Sequence, residues 1–409
     1  MSKKTYFFLI LILGSLTALA PFSIDMYLPG FPAIARDLHT TAAKVSLSLS
    51  GFFVGVSVGQ LLYGPLLDRF GRKKPLFIGL TVYVTASIGC VFAKSIEMLI
   101  LMRVIQAIGS CAASVASVAM VRDLFPVSES AKVFSLLLLV VGVSPMIAPT
   151  VGGYVTDAFG WQSVFIILAV MGAAILAAAA LWLPNSYTPD TSISLKPKPI
   201  LRNFRDVLFQ PQFYTYAITG AVAFAGLFAY VAGSPLVFME VFHTDGKVYG
   251  WIFAFLSIGF IGSGQLNTLF LRKYTSEQIV NTALFCQMIV GLAFFAAALL
   301  GILNLYLTLA FLFPFLCCVG YTFPNAAALS LAPFTKNAGS ASALMGAFQM
   351  GAGTVISIVI SLFEKPSVVP MAAAMAASAS CALLILTIGR RFIVEKVEVQ
   401  QGADTGLVH

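Results

Sequence analysis

Twelve runs of about twenty mostly apolar residues constrain this chain more than any other feature of its sequence. Only 10% of the residues are charged, whereas a soluble domain carries about 25%. A helix of about 20 apolar residues matches the thickness of the bilayer core and satisfies its own backbone hydrogen bonds there. The sequence therefore predicts an all-α integral membrane protein, with spans at 5–28, 45–67, 75–93, 97–121, 131–155, 161–183, 212–238, 248–270, 278–301, 305–328, 339–363 and 369–389.

A proline-rich basic segment at 184–211 divides these spans into two groups of six. Dense proline and charge predict a polar linker. The predicted organisation is an N-terminal six-helix bundle (1–183), the linker, a C-terminal six-helix bundle (212–389) and a cytoplasmic tail (390–409). A weak repeat supports two related halves, because the second span of each half is followed by a basic pair.

The distribution of Lys and Arg predicts the orientation. With both termini in the cytoplasm, eighteen of the 24 basic residues lie on the cytoplasmic side, five on the other side and one, Arg103, inside a span. This positive-inside excess predicts a multi-pass protein of the inner (plasma) membrane with both termini cytoplasmic. Since the charges are scattered over short loops, we do not expect nucleic acid as a partner. We expect membrane lipids as partners, and a monomer.

Sequence motifs for catalysis or nucleotide binding are missing. The only Gly-Lys pair, Gly246-Lys247, lacks the earlier glycine of a phosphate-binding loop. There is no HExxH motif or metal-ligand cluster, and the six cysteines lie in apolar runs without a CxxC pair. We therefore expect a transporter of small molecules and not an enzyme, with no metal and no cofactor beyond a proton gradient.

Two ionisable side chains are predicted to lie well inside the membrane, Asp25 in the first span and Arg103 in the fourth. Burying a charge there costs on the order of 3 kcal/mol, so such residues face water or each other. Asp25 stands between Pro21 and Pro29, which remove backbone donors and loosen the helix around the carboxylate. The pattern favours a protonation site that alternates between the two sides; a structural cap or pair is the alternative.

A polar stripe begins at Arg103 and recurs every three or four residues along the fourth span. We expect this stripe, with Gln106 and Ser110, to line a water-filled cavity; hydrogen bonding between packed helices is the alternative. The C-terminal spans carry no charged residue, so we expect them to supply shape and apolar surface. The predicted cavity-lining residues of that half are Phe224, Phe228, Tyr321, Asn325 and Gln349.

The fifth predicted span combines kink-forming and small residues, namely Pro145, Pro149, Gly152 and Gly153. Proline weakens a membrane helix and glycine allows close helix contact. The combination predicts either a segment that flexes or one that is tightly packed.

Several of these runs resemble the major facilitator superfamily. The run 64–74 (GPLLDRFGRKK) resembles the signature of its loop between spans 2 and 3. The run 99–107 resembles the signature of span 4, with alanine in place of the usual final glycine. The run 148–153 (APTVGG) is similar to the antiporter signature of span 5, with alanine in place of its first glycine. The runs 24–29 (IDMYLP) and 121–123 (VRD) resemble the Bcr/CflA branch, the bicyclomycin- and chloramphenicol-type drug–proton antiporters.

The resemblance implies two bundles that rock about a central cavity in a multidrug efflux protein associated with antibiotic resistance. It implies that Asp25 carries the proton and that Arg103 biases its protonation. Some relatives have an acidic residue two turns earlier, where this chain has Thr17, so coupling to two protons is not implied. It also implies a charge network that closes the cytoplasmic side, in which Asp68 could accept from the N-terminus of span 11. The residues of that network are Gly64, Asp68, Arg69, Gly71, Arg72 and Asp123.

The mechanism that we expect is competition between proton and substrate. Protonated Asp25 disfavours substrate and bound substrate disfavours the proton, so alternating access exchanges one for the other and the inward proton gradient drives export. Two alternatives use the same fold: a dedicated exporter of an endogenous metabolite such as a siderophore or sugar, and a proton-coupled importer. Short loops and the lack of a catalytic cluster disfavour a membrane enzyme or receptor.

Overall fold

The computed structural model describes residues 3–185, 187, 189, 197–334, 338–363, 365–393 and 397. Within these residues, twelve helical segments are long and apolar enough to cross a membrane, which confirms the predicted fold class. The α-helices of the described residues are α1 (Lys3–Asp25), α2 (Phe31–Asp37), α3 (Ala42–Phe70), α4 (Lys73–Val91), α5 (Ile96–Leu124), α6 (Val127–Phe159), α7 (Gln162–Trp182), α8 (Pro197–Leu208), α9 (Pro211–Pro235), α10 (Gly246–Phe270), α11 (Ser276–Leu299), α12 (Leu305–Leu331), α13 (Ala338–Ser361) and α14 (Val369–Gly389).

Polar residues begin many of these helices at the membrane boundary. In each case a side-chain oxygen accepts a hydrogen bond from the backbone N–H three residues later, which satisfies a donor that the helix leaves free. These capping residues are Thr41, Ser95, Asp245, Thr275 and Asn304. The last of them follows Gly301, which has φ +67° and closes the short α11–α12 hairpin.

The first span of each half is interrupted near the same end of the molecule. In the N-terminal half α1 stops at Asp25, and a 3-10 turn at Leu28–Gly30 leads into α2. In the C-terminal half α9 ends at Pro235 and continues as a π-helical turn over Leu236–Val241. A proline lies in or beside each interruption, Pro29 in the 3-10 turn and Pro235 at the end of α9, and its missing N–H and its ring oppose a regular helix.

The two interrupted spans also reveal a repeat that the sequence analysis missed. His39 and His243 are the only non-glycine residues of the described chain with positive φ, at 49° and 53°. Each is followed by threonine and then by a capping residue, Thr41 or Asp245. The two halves therefore enter their second span through the same backbone turn.

The two halves meet through two helix pairs, α3 with α13 and α6 with α10. Ser50 Oγ of α3 donates to Ser357 Oγ of α13 over 2.8 Å. Thr150 Oγ1 of α6 donates to the carbonyl oxygen of Gly250 of α10 over 3.1 Å. All four residues lie toward the end of the bundle opposite the chain termini, which we name the far end; the other is the terminal end. The halves are therefore closed against each other at the far end.

Nearer the terminal end, the same helices leave space between neighbours. A Cβ atom added to Gly64 of α3 or to Gly262 of α10 would meet no atom within 4 Å. At the far end, by contrast, a Cβ atom on Gly250 would lie 2.7 Å from the Cα of Thr150. Packing between α6 and α10 is therefore tightest at the far end, whereas α3 and α13 stay in contact farther along, where a Cβ atom on Gly346 would overlap the side chain of Gln60.

The predicted linker contains a helix that the sequence analysis did not anticipate. Helix α8 is twelve residues long and starts with Pro197, a favourable first helical residue. Its Val207 is fully buried in a cluster with Phe213 of α9 and Ala341 of α13, whereas Arg202 and Arg205 are exposed. Apolar residues recur at helical spacing here, a pattern that the density of prolines and charges obscured.

Candidate functional site

Asp25 is the last residue of α1 and is only 5% exposed. No side chain of the described residues forms a hydrogen bond or ion pair with its carboxyl group. The carboxyl group nevertheless lies close enough to the phenols of Tyr230 in α9 and Tyr249 in α10 to interact electrostatically with both. Asp25 thus belongs to the N-terminal half but faces residues of the C-terminal half.

The backbone after Asp25 is held between two helices. A Cβ atom on Gly152 of α6 would overlap the carbonyl oxygen of Met26, so only glycine fits. On the other side, Pro29 lies beside Gly246, the first residue of α10. These contacts fix the end of α1 at the junction of the two halves.

Arg103 of α5 is fully buried within the N-terminal half. Its guanidinium carbon lies 4.2 Å from the ring centroid of Tyr27, 4.3 Å from that of Phe52 and 5.9 Å from that of Phe165. Nη1 donates to Oε1 of Gln106 over 2.6 Å, whereas Nε and Nη2 find no acceptor among the described residues. Aromatic faces are therefore the main partners of this cation, and desolvated cation–π contacts contribute about 2 kcal/mol each.

The rest of the polar stripe packs against neighbouring helices. Gln106 and Ser110 are fully buried, and Gln106 Nε2 donates to Ser87 Oγ of α4 over 2.7 Å. Farther along, Ser117 shares a 2.7 Å hydrogen bond with Thr17 of α1. Hydrogen bonding between helices, the alternative in the sequence analysis, describes Gln106 and Ser117 in this conformation, whereas Ser110 Oγ donates to the carbonyl oxygen of Ala107 within α5. Their role in lining a water-filled cavity stays a prediction.

The two membrane-embedded charges face different directions. Asp25 faces the C-terminal half, whereas Arg103 is enclosed by aromatic rings of its own half. No salt bridge within 4 Å joins them in the part of the chain that the structure describes. The expected influence of Arg103 on Asp25 therefore stays a prediction, and this geometry gives it no direct contact.

Two of the predicted cavity residues form an aromatic cluster at the junction. Phe224 and Phe228 of α9 are 8% and 4% exposed. The ring of Phe228 lies 4.5 Å from that of Phe53 in the other half, and the ring of Phe224 lies 4.7 Å from that of Phe323. This cluster presents apolar surface where the halves meet.

The other three predicted cavity residues lie nearer the terminal end. Asn325 Nδ2 donates to Asn267 Oδ1 over 2.7 Å and is almost fully buried. Tyr321 is half-buried, with its ring edge-to-face against Phe270 at 5.4 Å. Gln349 of α13 is also half-buried. A cavity lined by these residues stays a prediction.

The charge network expected from the resemblance is assembled around Arg72. Its Nη1 donates to Asp68 over 2.6 Å and its Nε to Asp123 over 2.8 Å. The ring of Tyr187, from the start of the linker, covers the guanidinium at 4.1 Å. Burial alone would lower the pKa of Arg72, but the hydrogen bonds to Asp123 and Asp68 outweigh it and raise that pKa, so Arg72 stays charged.

Other members of the network surround this cluster. Gly71 has φ +80°, which favours glycine, and it packs against Pro189. Arg69 lies 5.8 Å from the ring of Phe70, and Gly64 has open space beside it. Residues 335–337, just before α13, lie outside the described residues. The predicted contact of Asp68 with the N-terminus of span 11 therefore stays a prediction, as does closure by this network.

The glycines of α6 are packing positions. Gly153 packs so closely against the carbonyl oxygen of Gly246 in the other half that a Cβ atom would overlap it. Pro145 and Pro149 lie inside α6, which is helical throughout Val127–Phe159. The tight-packing alternative thus describes Gly152 and Gly153 in this conformation, and flexing stays a prediction.

Sequence reasoning did not connect Asp25 with the two tyrosines that face it. Tyr230 is 2% exposed and Tyr249 is fully buried. Unlike phenylalanine, a tyrosine in a predicted span brings a hydroxyl group that needs a partner, and this could have marked them. Among the described residues, no group of three or more His, Cys, Asp or Glu side chains could hold a metal ion.

Comparison with known proteins identifies the family to which this chain belongs. The family described as Major Facilitator Superfamily matches residues 13–358. A bicyclomycin resistance protein homolog of Haemophilus influenzae is 30% identical, over 90% of this chain and 92% of that protein. The MFS-type transporter YdgK of Bacillus subtilis is 31% identical over 89% and 90%, and the multidrug resistance protein MdtL of Escherichia fergusonii is 28% identical over 82% and 84%.

Solved structures show the same fold. A D-xylose–proton symporter superposes with a TM-score of 0.73 at 14% identity, over 97% of this chain and 99% of that one. A bacterial homolog of the human lysosomal transporter Spinster, in an inward-facing conformation, superposes with a TM-score of 0.66 at 15% identity, over 96% and 97%. The chain is thus a multi-pass membrane transporter and not an enzyme, and it belongs to the major facilitator superfamily, with similarity to its bicyclomycin-resistance (Bcr/CflA) branch.

Proposed function

We propose that this protein exports small, largely apolar molecules or drugs across the inner membrane in exchange for protons. The observation that carries the proposal is Asp25, a buried carboxyl group without a partner in the described residues, located where the two halves meet. A carboxylate in this environment is costly unless a proton, a substrate or water compensates it. Proton and substrate would therefore compete for the same place.

Alternating access would supply the exchange. The halves are closed at the far end through α3–α13 and α6–α10, and a second conformation would open these contacts and close the terminal end. We orient the terminal end toward the cytoplasm because of the excess of basic residues there. Asp25 would then release its proton to the cytoplasm in the conformation described here and take one up from the far side in the other.

The apolar character of the substrate is inferred from the aromatic cluster of Phe224, Phe228, Phe323 and Phe53. Aromatic faces of this kind bind apolar molecules with little demand on their shape. The names of the relatives support the same class, since they include bicyclomycin and multidrug resistance proteins. The structural likeness to a sugar–proton symporter supports only the fold, so the direction of transport needs a direct test.

The test uses everted membrane vesicles with an established pH gradient. Bicyclomycin and chloramphenicol are the first probes, and proton movement on addition of each compound is the readout. We expect a compound to collapse the gradient with the wild-type protein and not with Asp25→Asn. The matched control is Glu97→Gln, which neutralises an exposed carboxylate of the same half and should behave as wild type.

The outcomes separate the possibilities. If Asp25→Asn still couples substrate to protons, Asp25 is structural and the proposal fails. If a sugar or a siderophore, and neither drug, collapses the gradient through Asp25, the protein is a dedicated exporter. If added substrate moves together with protons instead of against them, the protein is an importer.

A further inference from the structure

A buried phenol without a partner lies opposite Asp25. Tyr230 of α9 is 2% exposed, and its ring packs against Phe253 with 5.1 Å between centroids. Among the described residues, nothing accepts from or donates to its hydroxyl group. A buried hydroxyl without a hydrogen bond is unfavourable, and such groups call for an explanation. Phenylalanine would fill the same space without this cost.

The surroundings bring this hydroxyl to the end of α1. Gly246 at the start of α10 lies against Pro29, one turn beyond Asp25, and the ring of Tyr230 packs on Phe253 of the same helix. The phenol and the carboxyl group therefore lie within electrostatic range of each other across the junction of the halves. The Tyr230 hydroxyl group has no acceptor among the described residues, and the carboxyl oxygens of Asp25 have no donor there.

A second tyrosine provides an internal comparison. Tyr249 of α10 is fully buried and also faces Asp25, but its hydroxyl group shares a 2.8 Å hydrogen bond with Ser234 Oγ. Of the two phenols, only Tyr230 has a hydroxyl group without a hydrogen-bond partner among the described residues. This difference makes Tyr230 the available donor.

We infer that Tyr230 is a positioning residue that donates a hydrogen bond to ionised Asp25 and releases it when Asp25 is protonated. The inference rests on the proposed proton coupling through Asp25. A hydrogen bond to the charged form of a carboxyl group favours that form, so Tyr230 makes deprotonation possible in a place that water hardly reaches. Because donor and acceptor sit on different halves, the bond also ties the charge of Asp25 to the relative position of the halves.

Other charged and titratable groups near α1 face elsewhere. Arg103 on α5 is enclosed by aromatic rings, and Tyr83 on α4 shares a hydrogen bond with Ser23. Asp157 on α6 and Lys247 on α10 pair with each other in an exposed position. Tyr230 and Tyr249 therefore remain as the groups that face Asp25.

The test measures protonation of Asp25 directly and needs no substrate. Infrared difference spectra of the purified full-length protein are recorded against pH, and the carbonyl band that disappears in Asp25→Asn is assigned to Asp25. Removing the donor in Tyr230→Phe should move the titration midpoint to higher pH. Loss of one hydrogen bond to a charged group corresponds to a shift of about one to two pH units.

Two matched variants act as controls. Tyr83→Phe removes an equally buried hydroxyl that does not face Asp25, and its midpoint should equal that of the wild type. Tyr249→Phe should shift the midpoint less than Tyr230→Phe does, because its hydroxyl is already committed to Ser234. In the wild type itself, a tyrosine C–O band should change together with the Asp25 band, and this change should be absent in Asp25→Asn.

Each result decides the inference. An unchanged midpoint in Tyr230→Phe, or a larger shift in Tyr249→Phe, overturns it. If Tyr230→Phe does not fold, the absence of a coupled tyrosine band in the wild type overturns it equally. A shifted midpoint combined with normal antiport by Asp25→Asn would support the hydrogen bond and refute the proposed function, so the two can fail separately.

Discussion

Substituting Gly250 by alanine should disfavour the conformation that is closed at the far end. The added Cβ atom would lie 2.7 Å from the Cα of Thr150 and 3.0 Å from the carbonyl oxygen of Pro149, both backbone atoms of the other half. Carbon atoms normally approach to about 3.5–4.0 Å, so the helices must separate by about 1 Å. Overpacking of this kind costs about 1–3 kcal/mol.

This cost applies only in the conformation in which α6 and α10 touch. It therefore shifts the equilibrium toward the conformation that is open at the far end. A difference of about 1–3 kcal/mol changes their ratio by roughly 5- to 150-fold. The better helix propensity of alanine is common to both conformations and cancels. The far end of Gly250→Ala should therefore be open for a much larger fraction of the time.

The assay is the distance between spin labels at Lys94→Cys and Ile302→Cys in a background without native cysteines. Both residues are exposed and lie in far-end hairpins, one in each half. Gly250→Ala should enrich the long-distance population. Gly262→Ala, in the same helix but with no atom within 4 Å of its added Cβ, is the control. Equal distance distributions in the two variants would contradict the predicted opening of the far end.

Two further predictions follow from charged side chains. The pair Asp157–Lys247 joins α6 and α10 at 2.7 Å but is largely exposed, so Asp157→Asn should lengthen the same label distance slightly at low salt and not at high salt. A salt-independent effect would contradict this. Arg103→Ala should lower stability by about 2–5 kcal/mol because it empties a fully buried aromatic enclosure, whereas Arg103→Met fills the space and removes two nitrogen atoms that have no acceptor among the described residues. Thermal unfolding in detergent measures both, and a Met variant as unstable as the Ala variant would show that the cation itself is needed.

Much of the candidate site could be predicted from the sequence. An aspartate and an arginine in predicted spans stand out because charges are expensive there. The cluster of Arg72, Asp68 and Asp123 was predicted from two recognisable runs, 64–74 and 121–123, and the structure joins all three by hydrogen bonds. What could not be predicted is which groups face each other. Helical periodicity shows which residues share one face of a helix, but it does not show which other helix packs against that face.

The twelve spans and the fold class follow from the sequence alone, since apolar length and scarcity of charge are properties of each segment. Tertiary packing, by contrast, encloses Arg103 between Tyr27 and Phe52 and brings Asp25 within electrostatic range of Tyr230 and Tyr249 across the junction. It also makes Gly152 and Gly250 points of close backbone contact, with Met26 and Thr150 respectively. These relations depend on how helices distant in the chain are rotated and packed. That arrangement minimises unpaired polar groups and empty space over the whole molecule, and no single segment encodes it.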